Sequence, residues 1–261
     1  MSAITLPGAA ILVTGANGFI GGHLCEHLQQ AGAQVRGLVR SLPRATWLAD
    51  QGISLIEGGL DEPAVLARAV DGCAAVIHTA AWTGVPDDPA LGEAVNVTGA
   101  EAVLQAALTA GVARVIHFSS VAVYGVNASP LIDETAATPL VGQAYPDSKI
   151  RAEAVVRRLA AAGLDTVIVR PASTYGPRGT AWTVGPVEQI KAGRLRLLAG
   201  TPGLDTRRVT HVRIVDIPGD GSVADGQIFV AEIGDESGEH TFEGRAAVEF
   251  RVLHVLADNG V

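Results

Sequence analysis

Apolar, β-branched runs alternate with stretches in which apolar residues recur every three or four positions, and the alternation holds from residue 9 to residue 170. The runs at 11–14, 35–40, 54–57, 75–79, 114–119 and 166–170 predict buried strands. The intervening segments 18–31, 61–71, 90–110 and 145–162 carry helical spacing. Pro63 and Pro146 fall where a first helical turn accepts proline. Strands separated by helices run parallel, joined by right-handed crossovers and covered on both faces. The pattern predicts an α/β fold built on a doubly wound parallel sheet. In such sheets a ligand lies past the carboxyl ends of the strands, near the point where strand order reverses. From Pro171 onward the alternation fails, and Gly, Pro and Thr crowd around short apolar pieces.

Bulk properties narrow the class. The chain has 261 residues, 48% of them hydrophobic, and a mean hydropathy of +0.30, enough to bury a large core. The net charge of −8 argues against nucleic acid, and 10 of the 27 acidic residues but only 2 of the 19 basic ones fall in 216–261. No apolar stretch has the length of a membrane span, and no signal peptide is evident at the N-terminus. Two cysteines, Cys25 and Cys73, point to buried thiols in a reducing, cytoplasmic setting.

Directly behind the first apolar run comes Thr14-Gly-Ala-Asn-Gly-Phe-Ile-Gly21. A strand that ends in a glycine turn and opens a helix aims backbone N–H groups and the positive end of a helix dipole at one spot, which suits a pyrophosphate. Gly15 takes the tight turn, Gly18 admits the phosphates, and Gly21 lets the helix close on the strand. Asn17, Phe19 and Ile20 of the same turn join the expected cofactor contacts, with Thr79, Ala80 and Ala81 after the fourth strand and Pro171 after the sixth. At the end of the second strand stands Arg40, where an acidic residue would accept from ribose hydroxyls. Arginine suits a 2′-phosphate, so NADP is expected, with NAD as second choice. Residues 1–170 thus read as a dinucleotide-binding domain and 171–261 as a substrate lobe, partly returning to the sheet.

Tyr145 and Lys149 lie four apart on a helix and emerge on one face. A cation beside a phenol favours its ionised form, and Ser120, at the end of the fifth strand, can donate to a substrate oxygen that gains charge. Ser119 is the alternative serine. Four motifs occur in order: the glycine turn, Phe118-Ser-Ser-Val-Ala-Val-Tyr-Gly125, Tyr145-Pro-Asp-Ser-Lys149, and Arg170-Pro-Ala-Ser-Thr-Tyr-Gly-Pro-Arg178. Together they closely resemble the extended short-chain dehydrogenase/reductase family, in its epimerase/dehydratase branch. The resemblance implies a Rossmann domain, a nicotinamide cofactor, and a catalytic triad of Ser120, Tyr145 and Lys149. Asn96 resembles a family position that supports the active site. Where many members carry an aspartate for the adenine, this chain has Gly59.

Dehydratase members carry acidic residues after the catalytic hydroxyl; here Val121 and Ala122 follow. Sugar-nucleotide enzymes often place an asparagine ahead of Tyr-Gly-Pro; here Ser173 and Thr174 stand there. The expected activity is hydride transfer between the nicotinamide and a ketone or secondary alcohol, of reductase or hydroxysteroid-dehydrogenase type. Trp82, Tyr124, Ser173 and Arg178 are the candidate substrate contacts. Two alternatives stay open: a sugar-nucleotide epimerase, with Arg178, Arg194, Arg196, Arg207 and Arg208 available for a diphosphate, and a non-catalytic NADP sensor. His23-Leu-Cys-Glu-His27 has metalloprotease spacing but reads as solvated polar residues on an outer helix face, with no metal expected. His78 and His117 read as satisfied structural histidines. A homodimer is expected, as the resemblance implies, through helices 90–110 and 145–162 with Ala94, Val97, Val103, Leu104, Val155 and Leu159. The segment 247–256 alternates like a strand.

Overall fold

In a computed structural model of the protein, residues 4–125, 132–172, 174, 176–192 and 212–217 are described. Seven strands form one sheet: β1 (Ala10–Thr14), β2 (Gln34–Val39), β3 (Ser54–Glu57), β4 (Ala75–His78), β5 (Arg114–Phe118), β6 (Thr166–Pro171) and β7 (Val212–Ile217). Their order is β3-β2-β1-β4-β5-β6-β7. The first six run parallel, and β7 pairs antiparallel with β6. The order reverses between β1 and β4, which places the switch point beside the glycine turn.

The helices are α1 (Phe19–Gln30), α2 (Thr46–Ala49), α3 (Pro63–Val70), α4 (Pro89–Gly92), α5 (Gly99–Thr109), α6 (Ala144–Ala161) and α7 (Gly185–Lys191). α3 starts on its proline, which lacks the N–H that a first turn leaves unpaired anyway. Strand side chains alternate between two cores. Ile11, Val13, Ile77, Ile116 and Phe118 pack against Leu24, Cys25 and Leu28 of α1. On the other face Leu12, Val76, Val115 and Ile168 meet Leu66, Leu104, Val156 and Leu159 from α3, α5 and α6. Each fully buried Leu or Ile contributes about 1.5–3 kcal/mol. Burial pushes the Cys25 thiol up to about 12, so it behaves as a small hydrophobe.

Two expectations change. The helix at 90–110 is interrupted: between α4 and α5 lies a π-helical segment, Glu93–Thr98. Its buried Asn96 is drawn into tertiary hydrogen bonds, and such wide turns recur where a side chain is aimed at a site. The proposed dimer positions also move. Val97, Val103, Leu104, Val155 and Leu159 are buried within the protomer, because α5 and α6 use those faces to cover the sheet. Only Ala94 of that set is exposed. The outer surface of these helices instead carries the Arg151–Glu93 and Arg158–Glu101 ion pairs.

Candidate active site

The glycine turn is closed by backbone contacts that a side chain would break. Gly15 has φ 65, and a Cβ there would lie 2.8 Å from the Ala80 Cα. A Cβ on Gly21 would meet the Gly15 carbonyl and lie 2.7 Å from Thr79 Oγ1. Thr79 Oγ1 donates to the Thr14 carbonyl at 2.6 Å, and the Ala80 N–H donates to Thr14 Oγ1 at 3.2 Å. The ends of β1 and β4 are thereby bolted together at the switch point. α1 follows its N-cap Gly18 with no side-chain cap and no acidic residue in its first turn, which leaves its N-terminal N–H groups for an anion. This cradle fits a dinucleotide pyrophosphate. Asn17 and Gly18 are exposed, while Gly15, Phe19, Ile20, Ala80 and Ala81 are half-buried around them. Arg40 is exposed just past β2, and Pro171 ends β6 half-buried.

α6 starts at Ala144 and brings Tyr145 and Lys149 onto one face. The Ser120 hydroxyl accepts from the Ala122 N–H at 3.1 Å, and the Ser120 side chain acts on the Tyr145 phenol to lower its pKa. Ser119 is buried, with no partner for its hydroxyl among the described residues. Burial raises the Tyr145 phenol above its ordinary value, with the Ser120 side chain opposing. This differs from the expected lowering by a neighbouring cation. The Lys149 ammonium instead donates to the Phe118 carbonyl at 2.9 Å, and burial brings it down to about 8.

Asn96 ties the loop after β4 to α6. It accepts from the Trp82 N–H at 2.8 Å, donates to the Trp82 carbonyl at 2.9 Å, and donates to Ser148 Oγ, also at 2.9 Å. Ser148 in turn donates to the Tyr145 carbonyl at 2.8 Å. The loop after β4 is so fixed against α6, with the Trp82 ring edge-on to Tyr145 at 6.4 Å. Asp147, given no side-chain role by the sequence, accepts from the Val141 and Gly142 N–H groups at 2.8 and 3.1 Å and holds the segment entering α6.

The remaining candidates are placed differently. The Tyr124 hydroxyl receives a hydrogen bond from Arg170 at 2.7 Å. Arg178 is paired in two-pronged fashion with Glu26 at 2.8 and 2.9 Å and stacks over Trp47 at 4.1 Å. This pairing holds Glu26 down to about 2. His23 is buried, 3.1 Å from the Pro177 carbonyl through Nε2 and 2.9 Å from Arg178 through Nδ1; it is no solvated outer-face residue. Arg178 is also the one described non-glycine residue with positive φ, 70, a conformation held in place by these contacts. Ser173, Arg194, Arg196, Arg207, Arg208 and the segment 247–256 lie outside the described residues. Among the described residues no three His, Cys, Asp or Glu side chains gather as a metal site, and no helix is long and apolar enough to cross a membrane.

His78 and His117 stack at 5.3 Å on the sheet face beneath α6. His78 Nδ1 shares a 2.8 Å hydrogen bond with Thr14 Oγ1, but neither ring nitrogen of His117 has a partner among the described residues. Only the first is therefore satisfied. Burial drives His78 to about 3 and His117 well below the usual imidazole range. Unfolded imidazoles take up protons near pH 6.5 while these do not, so their stability contribution is complete above about 6.5 and is lost as pH falls. Urea unfolding should show stability dropping by up to about 1.4 kcal/mol per pH unit for each histidine between about pH 6.5 and 4.5. His117→Phe should flatten that slope; an unchanged slope would contradict the assignment.

A model of the NAD dependent epimerase/dehydratase family matches residues 11–213. A farnesyl-dihydroquinoline-oxide ketoreductase from Stigmatella aurantiaca is 31% identical over 94% of this chain and 71% of its own length. A 2-alkyl-3-oxoalkanoate reductase from Stenotrophomonas maltophilia is 32% identical over 78% of this chain and 63% of its own. Among solved structures, Bordetella bronchiseptica WbmG in complex with NAD and UDP is 30% identical, with TM-score 0.62 over 75% of this chain and 62% of that one. WbmH from the same organism, in complex with NAD+, superposes with TM-score 0.64 at 25% identity over 72% of this chain and 64% of that one. Apart from the Stigmatella enzyme, the chain spans less than two thirds of these relatives' length. With the family match running from β1 into β7, the chain belongs to the NAD dependent epimerase/dehydratase family, whose members are oxidoreductases and epimerases.

Proposed function

We propose that this protein is an NAD(P)-dependent oxidoreductase that transfers hydride between the nicotinamide and a ketone or secondary alcohol through Ser120, Tyr145 and Lys149. The observation that carries the reading is the placement of Tyr145 and Lys149 on one face of α6, with the buried Lys149 ammonium on the Phe118 carbonyl at 2.9 Å, two residues before Ser120. When bound, the nicotinamide supplies or accepts the hydride. The chain's own residues do the rest. The cradle and the α1 N-terminus hold the pyrophosphate. Ser120 donates to the substrate oxygen. Tyr145, kept neutral by burial, gives that oxygen its proton in the direction of reduction. Lys149 uses one N–H on Phe118 and has two left to hold the cofactor ribose.

A weakly charged substrate fits the rim. Val85 is 84% exposed and Leu140 59%, on the loop beside Trp82 and on the segment entering α6. Arg178, the diphosphate candidate among the described residues, is already paired with Glu26. The reductase names of two relatives agree with this. The sugar-nucleotide epimerase reading rests on neighbours such as WbmG, solved with UDP. A ligand screen of hydrophobic ketones against sugar nucleotides, with NADPH and NADH present, separates the two. Turnover of ketones supports the proposal; turnover confined to sugar nucleotides overturns it.

NADP is the proposed cofactor, resting on Arg40 at the end of β2. Arg40→Asp should shift preference from NADP toward NAD by about 1–3 kcal/mol, the scale of a charge-assisted hydrogen bond. Fluorescence titration with both cofactors reads this, and a wild type that already prefers NAD would remove Arg40 from the role.

A further inference from the structure

Arg170, Glu153 and Tyr124 form a buried network that the chemistry above does not use. Arg170 is 1% exposed and Glu153 2%. The guanidinium grips the carboxylate with Nε at 2.7 Å and Nη2 at 2.5 Å, while Nη1 donates to the Tyr124 hydroxyl at 2.7 Å. Its plane also lies 5.0 Å from the Tyr124 ring centre. Arg157 adds a 3.3 Å contact to the same carboxylate. Such a pair is a poor way to gain stability, because desolvating two charges offsets most of their attraction, and apolar replacements are often as stable. What a two-sided fork does provide is fixed geometry.

Of the three elements it joins, two carry the proposed triad: the turn that Ser120 opens and α6. Glu153 stands one helical turn beyond Lys149 and two beyond Tyr145, on the same face of α6. Tyr124 ends the short 3-10 turn Val121–Tyr124, whose Ala122 N–H donates to the Ser120 hydroxyl. Arg170 sits on β6, which meets the end of β5 through the Ser119 N–H to Val169 carbonyl bond at 2.7 Å. We propose that Arg170 is a positioning residue: gripping Glu153 on one side and Tyr124 on the other, it sets the distance between the Ser120 turn and the Tyr145–Lys149 face of α6. Glu153 has a second effect there. Lys149 faces Tyr145 and Glu153 on its own helix, His78 and His117 from β4 and β5, and the Phe118 carbonyl; of these charges the Glu153 carboxylate favours the ammonium form against burial.

The inference rests on the reading of Ser120, Tyr145 and Lys149 as the reacting groups, and its test includes a measurement that needs no turnover. Tyr124→Phe keeps the ring under Arg170 and removes only the hydroxyl. The chain has three tyrosines, so ring-carbon NMR with labelled tyrosine resolves Tyr145, identified by its loss in Tyr145→Phe. In Tyr124→Phe the Tyr145 signal should move toward its position in Ser120→Ala; a signal that stays at the wild-type position overturns the proposal. With a ketone in hand, kcat should fall about tenfold or more while KM and cofactor affinity stay within about twofold. A raised KM at unchanged kcat would make Tyr124 a substrate contact, and a lowered Tm at unchanged kcat would make the network only structural; either result overturns the positioning role. As a second variant, Glu153→Gln keeps the side-chain shape and one of the two hydrogen bonds from Arg170 but not the charge, and should move the alkaline limb of kcat to lower pH. An unmoved limb would refute the effect on Lys149. If the wild type turns over no carbonyl at all, the functional reading falls and the NMR comparison still decides the positioning claim.

Discussion

Tyr145→Phe should lower turnover by at least about 10²-fold, the usual scale for a positioned acid or base, with Tm and cofactor affinity close to wild type. The ring stays against Trp82, so packing is preserved and only one oxygen is lost. That oxygen belongs to the group that burial keeps protonated. Without it the substrate oxygen would have to take its proton from water in a site whose walls are built to hold a phenol. Turnover beside Tm and cofactor titration for both proteins checks this. A variant with near wild-type turnover would show that proton transfer uses another group.

Lys149→Ala is expected to cost comparably in turnover, but unlike Tyr145→Phe it should also weaken cofactor binding by about tenfold or more, the scale of one or two lost hydrogen bonds to a charged group. The side chain is 3% exposed, so alanine also leaves a cavity; Lys149→Met fills it and isolates the loss of the ammonium. Burial brings Lys149 down to about 8, so it is charged below that pH and neutral above. Wild-type cofactor affinity should therefore fall as pH rises through about 8, and the Lys149→Met variant should lack that step. Isothermal titration across pH 7 to 9.5 reads both. Equal cofactor affinity in wild type and Lys149→Met would remove the lysine from the cofactor site.

The sheet was legible because parallel strands buried on both faces are continuous apolar runs. All six expected strands appear with ends displaced by at most one residue, as at Gln34–Val39 for 35–40. The glycine turn was legible for a similar reason: its backbone geometry demands glycine, as the contact between Gly15 and Ala80 shows. What sequence reasoning missed depends on partners far away along the chain. His23 looked solvated because its burial comes from Pro177 and Arg178, more than 150 positions later. Arg178 and Tyr124 looked available because Glu26 and Arg170 gave no local sign of claiming them. The π-helical break at Glu93–Thr98 arises from Asn96 reaching Trp82 and Ser148, and helical periodicity carries no trace of that. Glu153 had a usable signal, since it continues the four-residue spacing of Tyr145 and Lys149. A glutamate inside an amphipathic helix ordinarily reads as a solvated residue, and only Arg170 opposite it shows otherwise.

The measurement that tests hydride transfer at Tyr145 most directly is deuterium transfer from nicotinamide cofactor labelled at its hydride-bearing carbon to a ketone, read by mass spectrometry of the product for wild type and Tyr145→Phe together. The account predicts a singly deuterated alcohol from the wild type and at least about 10²-fold less from the variant. A wild type that leaves every ketone unlabelled, or a variant that labels product as fast as wild type, would contradict it.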